Sequence, residues 1–448
     1  MTDTIVGLAT AAGEGGVAIV RMSGEEAERI FTRAFQPVKR RPPYQSHLLM
    51  LGHVLDERGE RLDEAMGVIM RAPNSYTRED VCEIHTHGGS AAASVVMRRL
   101  IALGARLAEP GEFTRRAFMN GRIDLMQAEA VMGIITANSQ AALRAGERLL
   151  AGGQSGFVRA VQEALTGLLA GLEAHIDYPD EIGEDEATAG LREGLDALIA
   201  RLYAAIDERG ARIVRQGLHV ALCGCPNAGK STLFNAMLGE ERAIVTAIPG
   251  TTRDVLEGAF ALDGLRVVLQ DTAGLRESGD EVERIGVERA RETLARSDAA
   301  LVLVDGSKPL APQERELLSQ SLPCPSAVLL TKADAGCQIS DSQVEPLVGG
   351  RAVCGVSART GAGLEAVRDF LRAQAARPDE SIFTHERHIS VARQALDHLL
   401  QARQSLEESL DLAAVDLHEA LYLLGRITGD SVDEQLLDDI FSRFCVGK

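Results

Sequence analysis

Short apolar runs alternate with helical patterns over the first quarter of the chain. The runs Val17–Val20, Met66–Met70 and Val81–Ile84 are typical of strands, and stretches 25–34 and 90–102 are typical of helices. Clusters of Gly, Pro and Asn separate these segments. We therefore predict a small α+β domain over residues 1–118.

Two later stretches have a helical period. One predicted helix face carries apolar residues at steps of three and four: Leu191, Leu195, Leu198, Leu202 and Ile206. Near the end of the chain, Ser431–Glu434 has the pattern of a capping box that starts a last helix. The pattern predicts helical segments over residues 119–216 and 377–448.

Between these stretches, buried-strand patterns alternate with helical ones. The strand candidates are Leu218–Leu222, Leu265–Leu269, Ala300–Val304 and Ala327–Leu330. Such alternation is typical of a mostly parallel sheet covered by helices. We predict an α/β domain over residues 217–376, inserted in one helical domain. Two separate helical domains are the alternative that the pattern leaves open.

Composition narrows the class of protein. The 448 residues are 45% hydrophobic and 25% charged, which excludes a mainly disordered or fibrous chain. The net charge of −18 repels nucleic acid on average, so an RNA partner would need local basic patches or a second protein. Seven cysteines form no disulfide framework and fit a reducing cytosol. We expect no membrane span and no export signal.

One motif points to nucleotide binding. Residues Gly224–Ser231 match the phosphate-binding loop, between the predicted strand Leu218–Leu222 and a predicted helix. Backbone N–H groups at a helix N-terminus form an anion site. We expect Lys230 to contact the β- and γ-phosphates and Ser231 to bind Mg²⁺. The amide oxygen of Asn227 could help hold a monovalent cation beside the phosphates.

Four further elements follow in the order typical of GTPases. Asp271–Gly274 comes after a strand and fits a γ-phosphate sensor near Mg²⁺, and Thr252 is a candidate Mg²⁺ ligand from a switch segment. Asp334 could accept two hydrogen bonds from guanine, which adenine does not offer. Ser357–Arg359 suits a backbone contact to the base. The sequence therefore predicts a GTPase.

This order resembles the translation-factor-like GTPases, with two departures. Thr331 stands where the base-recognition element usually has Asn, and Leu275 stands where Ras-type enzymes have a Gln that orients water. The attacking water must then be oriented from elsewhere, and a carboxylate of the charged run 276–284 is one candidate. A cation held at Asn227 would stabilise the charge that an arginine finger stabilises in other GTPases.

Sequence motifs outside this domain make the chain similar to one family. They are Ala12–Gly24, Asn74–Val81, Glu83–Gly89, Pro110–Phe118, Asn120–Ala130, Ile176–Glu181 and Phe444–Lys448, together with Asp271–Arg276 and Glu281–Gly286. With these strings the whole chain resembles the tRNA modification GTPase family MnmE (TrmE). The terminal Cys-x-Gly-Lys is especially specific.

The resemblance implies a fold and an activity. It implies an N-terminal folate-binding α+β domain that dimerises, a helical domain, and a Ras-like P-loop GTPase domain inserted in it. With the FAD-dependent partner MnmG, in a heterotetramer, such proteins modify C5 of the wobble uridine in certain tRNAs of the bacterial cytoplasm. The product carries an aminomethyl or carboxymethylaminomethyl group. A 5-formyl- or 5,10-methylene-tetrahydrofolate supplies the carbon, glycine or ammonium the nitrogen, and K⁺-activated GTP hydrolysis drives a conformational cycle.

The resemblance also implies site residues. Potassium would be held by Asn227, Thr246, Ile248 and Thr251, and Mg²⁺ by Ser231 and Thr252. The GTP-binding residues would be Asn227, Ala228, Gly229, Lys230, Ser231, Thr232, Thr246, Ala247, Ile248, Pro249, Gly250, Thr251, Thr252, Asp271, Thr272, Ala273, Gly274, Thr331, Lys332, Asp334, Ser357, Ala358 and Arg359. The catalytic residues would be Lys230, Glu283, which orients water, Arg253, which orders the switch, and Cys445. Folate would be bound by Arg21, Glu83, Arg122 and Lys448.

Some alternatives stay open. Cys445 is either a functional thiol or a small buried residue. His85 and His87 could indicate a metal, although a structural or folate-pocket role is favoured because no third ligand is apparent. The same GTPase core could instead serve a switch in ribosome assembly, or could regulate a folate-dependent transferase.

Overall fold

The computed structural model describes residues 3–11, 13–39, 41–178, 184–240, 256–271, 291–375 and 383–447. Several predicted site residues lie outside these ranges: Thr246, Ala247, Ile248, Pro249, Gly250, Thr251, Thr252, Arg253, Thr272, Ala273, Gly274, Glu283 and Lys448. The chain divides into two compact units. One comprises Met1–Met132, Leu149–Leu198 and Gln394–Lys448, and the other comprises Gly133–Arg148 and Ile199–Arg393. The bounds of the four predicted segments (1–118, 119–216, 217–376 and 377–448) stay a prediction.

The N-terminal part forms a seven-stranded sheet with helices. Its elements are β1 (Ile5–Leu8), β2 (Val17–Ser23), α1 (Ala27–Ala34), β3 (Phe35–Pro37), β4 (Met50–Leu55), β5 (Arg61–Met70), β6 (Val81–His87), α2 (Ser90–Ala102), β7 (Arg106–Leu107) and α3 (Glu112–Met119). The strand order is β3-β4-β5-β6-β2-β1-β7, antiparallel except for the β1–β7 pair. The predicted α+β fold and its three predicted strands are confirmed.

The two faces of this sheet differ. Val20, Met22 and Ile84 are buried in one core with residues of α1 and α2. On the other face, Gly7 lies opposite Arg21, Arg21 opposite Glu83, and Glu83 opposite Val68. Directly opposite residues share a face, so these four form one row across β1, β2, β6 and β5.

Helices follow the sheet. They are α4 (Leu125–Ile135), α5 (Gln140–Leu150), α6 (Gly153–Asp177) and α7 (Glu184–Ala205). The predicted apolar face of α7 is confirmed at its centre, because Leu195, Leu198 and Leu202 are buried there. Ile206 lies just beyond the end of the helix.

A six-stranded sheet forms the core of the second unit. Its elements are α8 (Glu208–Gln216), β8 (Leu218–Gly224), α9 (Lys230–Glu240), β9 (Leu256–Leu262), β10 (Leu265–Asp271), β11 (Ala299–Asp305), α10 (Pro312–Ser319), β12 (Ser326–Thr331), α11 (Asp341–Val348), β13 (Val353–Val356) and α12 (Leu364–Gln374). The strand order is β13-β12-β11-β8-β10-β9, and only β9 runs antiparallel.

Both faces of this sheet are buried, which explains the continuous apolar runs. All seven residues of β11 are buried, and so are five of the seven residues of β8, that is, all but His219 and Gly224. Asp263 and Gly264, both with positive φ (51° and 83°), form the tight turn between β9 and β10. The carboxyl ends of the parallel strands meet at one edge, where open α/β sheets bind ligands.

Three helices end the chain: α13 (Glu386–Ser405), α14 (Leu410–Thr428) and α15 (Glu434–Phe441). The predicted start of the last helix is wrong in detail. The N-cap is Asp433, whose carboxylate accepts a hydrogen bond from the Leu436 N–H at 2.7 Å, rather than Ser431. Within the described ranges, no helix is long and apolar enough to cross a bilayer.

Candidate functional site

The phosphate-binding loop joins the end of β8 to the start of α9. Asn227 (φ 65°) and Gly229 (φ 91°) both adopt left-handed backbone conformations, which Gly and Asn tolerate best. A Cβ on Gly224 would lie 2.6 Å from the Leu303 carbonyl oxygen, so β11 leaves no room for a side chain there. The loop thus brings the N-terminus of α9, with its unpaired N–H groups, to the carboxyl edge of the sheet.

Lys230 lies over this loop. Its Nζ donates to the carbonyl oxygens of Gly224 (2.6 Å) and Cys225 (3.0 Å), and the residue is 5% exposed. Burial lowers the pKa of Lys230, and the nearby Asp271 carboxylate opposes that shift. The ammonium therefore sits at the mouth of the anion site, held by carbonyl oxygens that a phosphate can replace.

Two oxygen donors flank the loop. Asp271 ends β10, lies opposite Leu222 of β8 and is 5% exposed, while Ser231 is exposed in the first turn of α9. Hydroxyl and carboxylate oxygens are the ligands that Mg²⁺ prefers. The chemistry of these two donors therefore fits magnesium, and the role of Ser231 as a ligand stays a prediction.

The predicted base-recognition carboxylate is held in place by a second loop. The Ser357 hydroxyl donates to Asp334 Oδ1 at 2.6 Å, and this hydrogen bond lowers the pKa of Asp334. Ser357 is buried, and its N–H donates to the Ala362 carbonyl at 2.8 Å. Asp334 itself is exposed. It is therefore ionised and oriented before any base arrives.

Thr331, at the end of β12, connects three segments. Its hydroxyl lies 2.7 Å from the Ala228 carbonyl of the phosphate loop and 3.0 Å from the Val304 carbonyl of β11. A hydroxyl carries one hydrogen, so it can donate fully to only one of these acceptors at a time. Thr331 thus ties the loop to the strand that carries the base-recognition residues.

Sequence reasoning missed one charged group at this edge. Asp305, which ends β11, is 7% exposed and accepts hydrogen bonds from Lys332 Nζ and the Ser307 hydroxyl, both at 2.6 Å. Burial alone would raise the pKa of Asp305, but the bond from Lys332 keeps it below the ordinary value. A carboxylate ending a buried strand was the available signal. The remaining described predictions also lie in segments at this edge: Ala228, Gly229, Thr232, Ala358 and Arg359.

A second cluster lies on the open face of the seven-stranded sheet. Arg21 Nε donates to Glu83 Oε1 at 2.8 Å, and His85 Nε2 lies 3.0 Å from Glu83 Oε2. Burial would raise the pKa of Glu83, but the Arg21 charge and the two hydrogen bonds hold it below its ordinary value. Glu83 is therefore an ionised acceptor that is fixed from both sides.

Two aromatic rings extend this cluster. The Arg21 guanidinium lies over the rings of Tyr76 (5.7 Å to the centroid) and Phe113 (5.9 Å), and Arg122 lies over Tyr76 at 5.3 Å. The structure thus brings together Arg21, Glu83 and Arg122, which the resemblance had implied for folate. Tyr76 and Phe113 were missed, because an aromatic residue in a loop or helix carries no signal of its own.

The end of the chain returns to this sheet. Val446 pairs with Pro110, and the Gly111 N–H donates to the Cys445 carbonyl at 3.4 Å. The Cys445 thiol belongs to an exposed residue, which contradicts the interpretation as a small buried one.

A contact between two glycines makes this docking possible. A Cβ on Gly7 would lie 3.1 Å from Gly447 Cα, and a Cβ on Gly447, which has φ 98°, would lie 2.0 Å from the Leu8 carbonyl oxygen. Gly7 lies opposite Arg21 in the row that contains Glu83. The tail of residues 445–447 therefore packs beside the row that contains Arg21 and Glu83.

His85 and His87 do not converge. His85 contacts Glu83, whereas His87 is exposed and its Nδ1 lies 2.6 Å from Asp63 Oδ1, a hydrogen bond that raises the pKa of His87. In the part of the chain that the structure describes, no three His, Cys, Asp or Glu side chains form a group that could hold a metal.

Fold and site together define a P-loop GTPase: a mostly parallel sheet whose carboxyl edge carries a phosphate-binding loop, a buried aspartate and an oriented carboxylate for the base. Two family models match the chain. The MnmE helical domain matches residues 125–445, and the N-terminus of the GTP-binding protein TrmE matches residues 4–122. The chain belongs to the tRNA modification GTPase family MnmE.

Individual relatives are similar along their whole length. The tRNA modification GTPase MnmE of Symbiobacterium thermophilum is 44% identical over 458 residues, covering 100% of this chain and 99% of that protein. That of Moorella thermoacetica is 44% identical over 465 residues, covering 100% of both. Among solved structures, the G domain of the T. maritima FeoB iron transporter is 28% identical with a TM-score of 0.28, covering 35% of this chain and 98% of that one.

Proposed function

We propose that this protein hydrolyses GTP under activation by potassium and, as a homodimer with an FAD-dependent MnmG-like partner, modifies C5 of the wobble uridine in certain tRNAs. One observation carries the GTPase part: Lys230, Asp271 and Asp334 converge on the carboxyl edge of one sheet. The family membership carries the tRNA part. A tetrahydrofolate bound on the N-terminal sheet supplies the carbon in this proposal.

The nucleotide half of the reaction begins with binding. Backbone N–H groups of the loop and of α9 donate to the phosphates, and Lys230 exchanges its two carbonyl acceptors for β- and γ-phosphate oxygens. Ser231 and Asp271 present oxygens for Mg²⁺, directly or through water, and Thr252 would add a third. Asp334 selects guanine by accepting from its N1–H and 2-amino group. Magnesium, when bound, neutralises charge on the β- and γ-oxygens.

Hydrolysis also needs a cation that stabilises the transition state and a residue that orients the attacking water. The family resemblance suggests which residues provide them. Asn227 would hold potassium with Thr246, Ile248 and Thr251, and the left-handed turn at Asn227 supports this by setting that side chain on the phosphate loop. Such an ion stabilises the charge that develops as the terminal phosphate leaves. Glu283 would orient the attacking water in place of the glutamine that Leu275 replaces.

Potassium activation is tested by GTP turnover in KCl and NaCl at equal ionic strength. We expect faster turnover in KCl, and we expect Asn227→Ala to lose this difference while GTP still binds. Equal rates in both salts for the wild-type protein would reject potassium activation.

The water-orienting role is tested separately. Glu283→Ala should bind GTP normally and hydrolyse it slowly, and the neighbouring Glu281→Ala serves as the control. Undiminished turnover in the Glu283 variant would remove this role.

The folate half rests on the Arg21–Glu83 pair. Glu83, ionised and fixed, can accept from the N–H edge of a pterin as Asp334 accepts from guanine, while Arg122 and Lys448 can bind carboxylates of the ligand. We expect Glu83→Gln to weaken 5-formyl-tetrahydrofolate binding at least tenfold by calorimetry. Glu64→Gln, at an exposed position of β5, should not change it. Equal affinities in both variants would remove the folate assignment.

The tRNA activity is tested in cells. Deletion of the gene should abolish the C5 modification of wobble uridines, measured by mass spectrometry of purified tRNA. Expression of the wild-type protein should restore it, and expression of Lys230→Ala should not. Intact modification in the deletion strain would instead favour a switch in ribosome assembly.

A further inference from the structure

A cleft of about 460 Å³ opens in the N-terminal sheet domain, at the end of β5 and the loop before β6. Met70 and Tyr76 contribute apolar surface to its lining, and His47, Arg78 and Arg122 contribute cationic or titratable groups. Among the residues that the structure describes, no carboxylate belongs to the lining. The cleft is therefore basic, in a chain whose net charge is −18.

The two arginines of this cleft differ from others in the domain. Arg21, Arg71, Arg106 and Arg116 are each paired with a carboxylate. Arg78 donates only to the Asn120 carbonyl (3.0 Å), and Arg122 donates to the Ser75 carbonyl. Over the described ranges, neither forms an ion pair. Each guanidinium has five N–H donors, so most of its donors stay available to an anion.

The backbone at the cleft is strained at two positions. His47 (φ 61°) and Arg78 (φ 60°) have left-handed conformations, which are unfavourable for such side chains. Hydrogen bonds hold both segments in place. The His47 N–H donates to the Ile69 carbonyl at 2.7 Å, and Asn120 Nδ2 donates to the Thr77 carbonyl at 2.7 Å. Strain of this kind concentrates at binding sites.

The cleft continues from the Arg21–Glu83 pair. Tyr76 connects them, because its ring contacts both Arg21 and Arg122. A ligand whose flat edge is held by Glu83 can cross the Tyr76 ring and place its other end among Arg122, Arg78 and His47. That other end must be anionic, and the apolar surface between suits an aromatic ring.

We propose that this cleft binds the glutamyl tail of the folate, with Arg78 as the main contact for carboxylates beyond the first glutamate. The proposal rests on the folate site proposed above and extends it to a ligand class, the γ-polyglutamyl folates. Each added glutamate brings one more carboxylate, and a guanidinium binds a carboxylate in a bidentate manner.

An RNA phosphate is the competing anion. The folate tail is favoured because the cleft joins the Arg21–Glu83 cluster at one end, which a continuous phosphate backbone does not require. The net charge of −18 also disfavours a nucleic-acid surface built from two arginines.

The test compares 5-formyl-tetrahydrofolate as monoglutamate and triglutamate by calorimetry on the full-length protein. We expect the wild type to bind the triglutamate about tenfold more tightly, equivalent to about 1.4 kcal/mol. Arg78→Gln should lose this preference and keep its monoglutamate affinity within twofold. Arg58→Gln, at an exposed turn of the same domain, is the control and should keep the preference.

Three outcomes would overturn the proposal. If the wild type binds both ligands equally, the tail site is wrong while the folate site stands. If neither ligand binds, the folate site and its extension both fall. If Arg78→Gln keeps the triglutamate preference but weakens tRNA binding in a filter assay, the cleft belongs to RNA.

Discussion

Replacing Thr331 by Val would remove the hydroxyl that ties the phosphate loop to β12 and leave the side-chain shape unchanged. The carbonyl oxygens of Ala228 and Val304, which share the single hydrogen of this hydroxyl, would then lose it. The net value of a neutral hydrogen bond is about 1 kcal/mol, and an acceptor left buried without a partner costs about 1–3 kcal/mol. The domain should therefore be destabilised by an amount within this range.

Part of that loss should appear in nucleotide affinity. Without this hydrogen bond, the loop also adopts conformations that cannot bind phosphate. The apparent affinity for the nucleotide then falls in proportion to the fraction of molecules that keep the binding-competent conformation. A loss of about 1–2 kcal/mol corresponds to about a 5- to 30-fold weaker affinity. Thr331→Asn should instead raise the nucleotide affinity, because an amide has two hydrogens and can donate to both carbonyls at once.

The assay is the affinity and dissociation rate of a fluorescent GDP analogue, with thermal unfolding measured in parallel. Thr166→Val is the matched control, since the Thr166 hydroxyl donates to the Gln162 carbonyl at 2.8 Å on an exposed helix surface. If Thr331→Val kept its GDP affinity within twofold and unfolded at the wild-type temperature, the tie would have no energetic role.

Two further predictions concern the other loops. Ser357→Ala should weaken GDP binding about fivefold, because Asp334 loses the hydrogen bond that orients it. Because the pKa of Asp334 is lowered in the folded chain, its charge is lost only in acid, so the defect should be equal at pH 6 and pH 8; a defect that grows only towards pH 6 would contradict this. Gly447→Ala, but not the control Gly59→Ala, should speed release of the C-terminal residues by carboxypeptidase, because Gly59 has a similar φ (81°) and open space around it. Equal rates in both variants would show that the tail is not held by this contact.

The nucleotide site was predictable because its signals are local. The loop Gly224–Ser231 lies between a strand and a helix that the apolar pattern alone identifies, and the four predicted strands lie within β8, β10, β11 and β12. Strand β9 was missed, since Leu256–Leu262 includes a Glu and a Gly and is the antiparallel edge of the sheet. Edge strands carry weaker patterns because one side of the ladder is open.

The second cluster was not predictable from local pattern. Arg21 and Glu83 are 62 positions apart, and their ion pair depends on the register between β2 and β6. A shift of one residue would place them on opposite faces. The family resemblance supplied these residues, but it gave neither the ring of Tyr76 between the cations nor the exposed Arg78.

The docking of residues 445–447 against Gly7 bears on how the protein is made. The chain is synthesised from its N-terminus at about 5–20 residues per second, so about 20–90 s separate the first strand from the tail that packs on it. The N-terminal sheet can fold during that time. Residues 445–447 can pack against it only after the whole GTPase domain has been translated. Translation order thus ensures that the tail docks beside Arg21 and Glu83 only in a chain that already contains the GTPase domain.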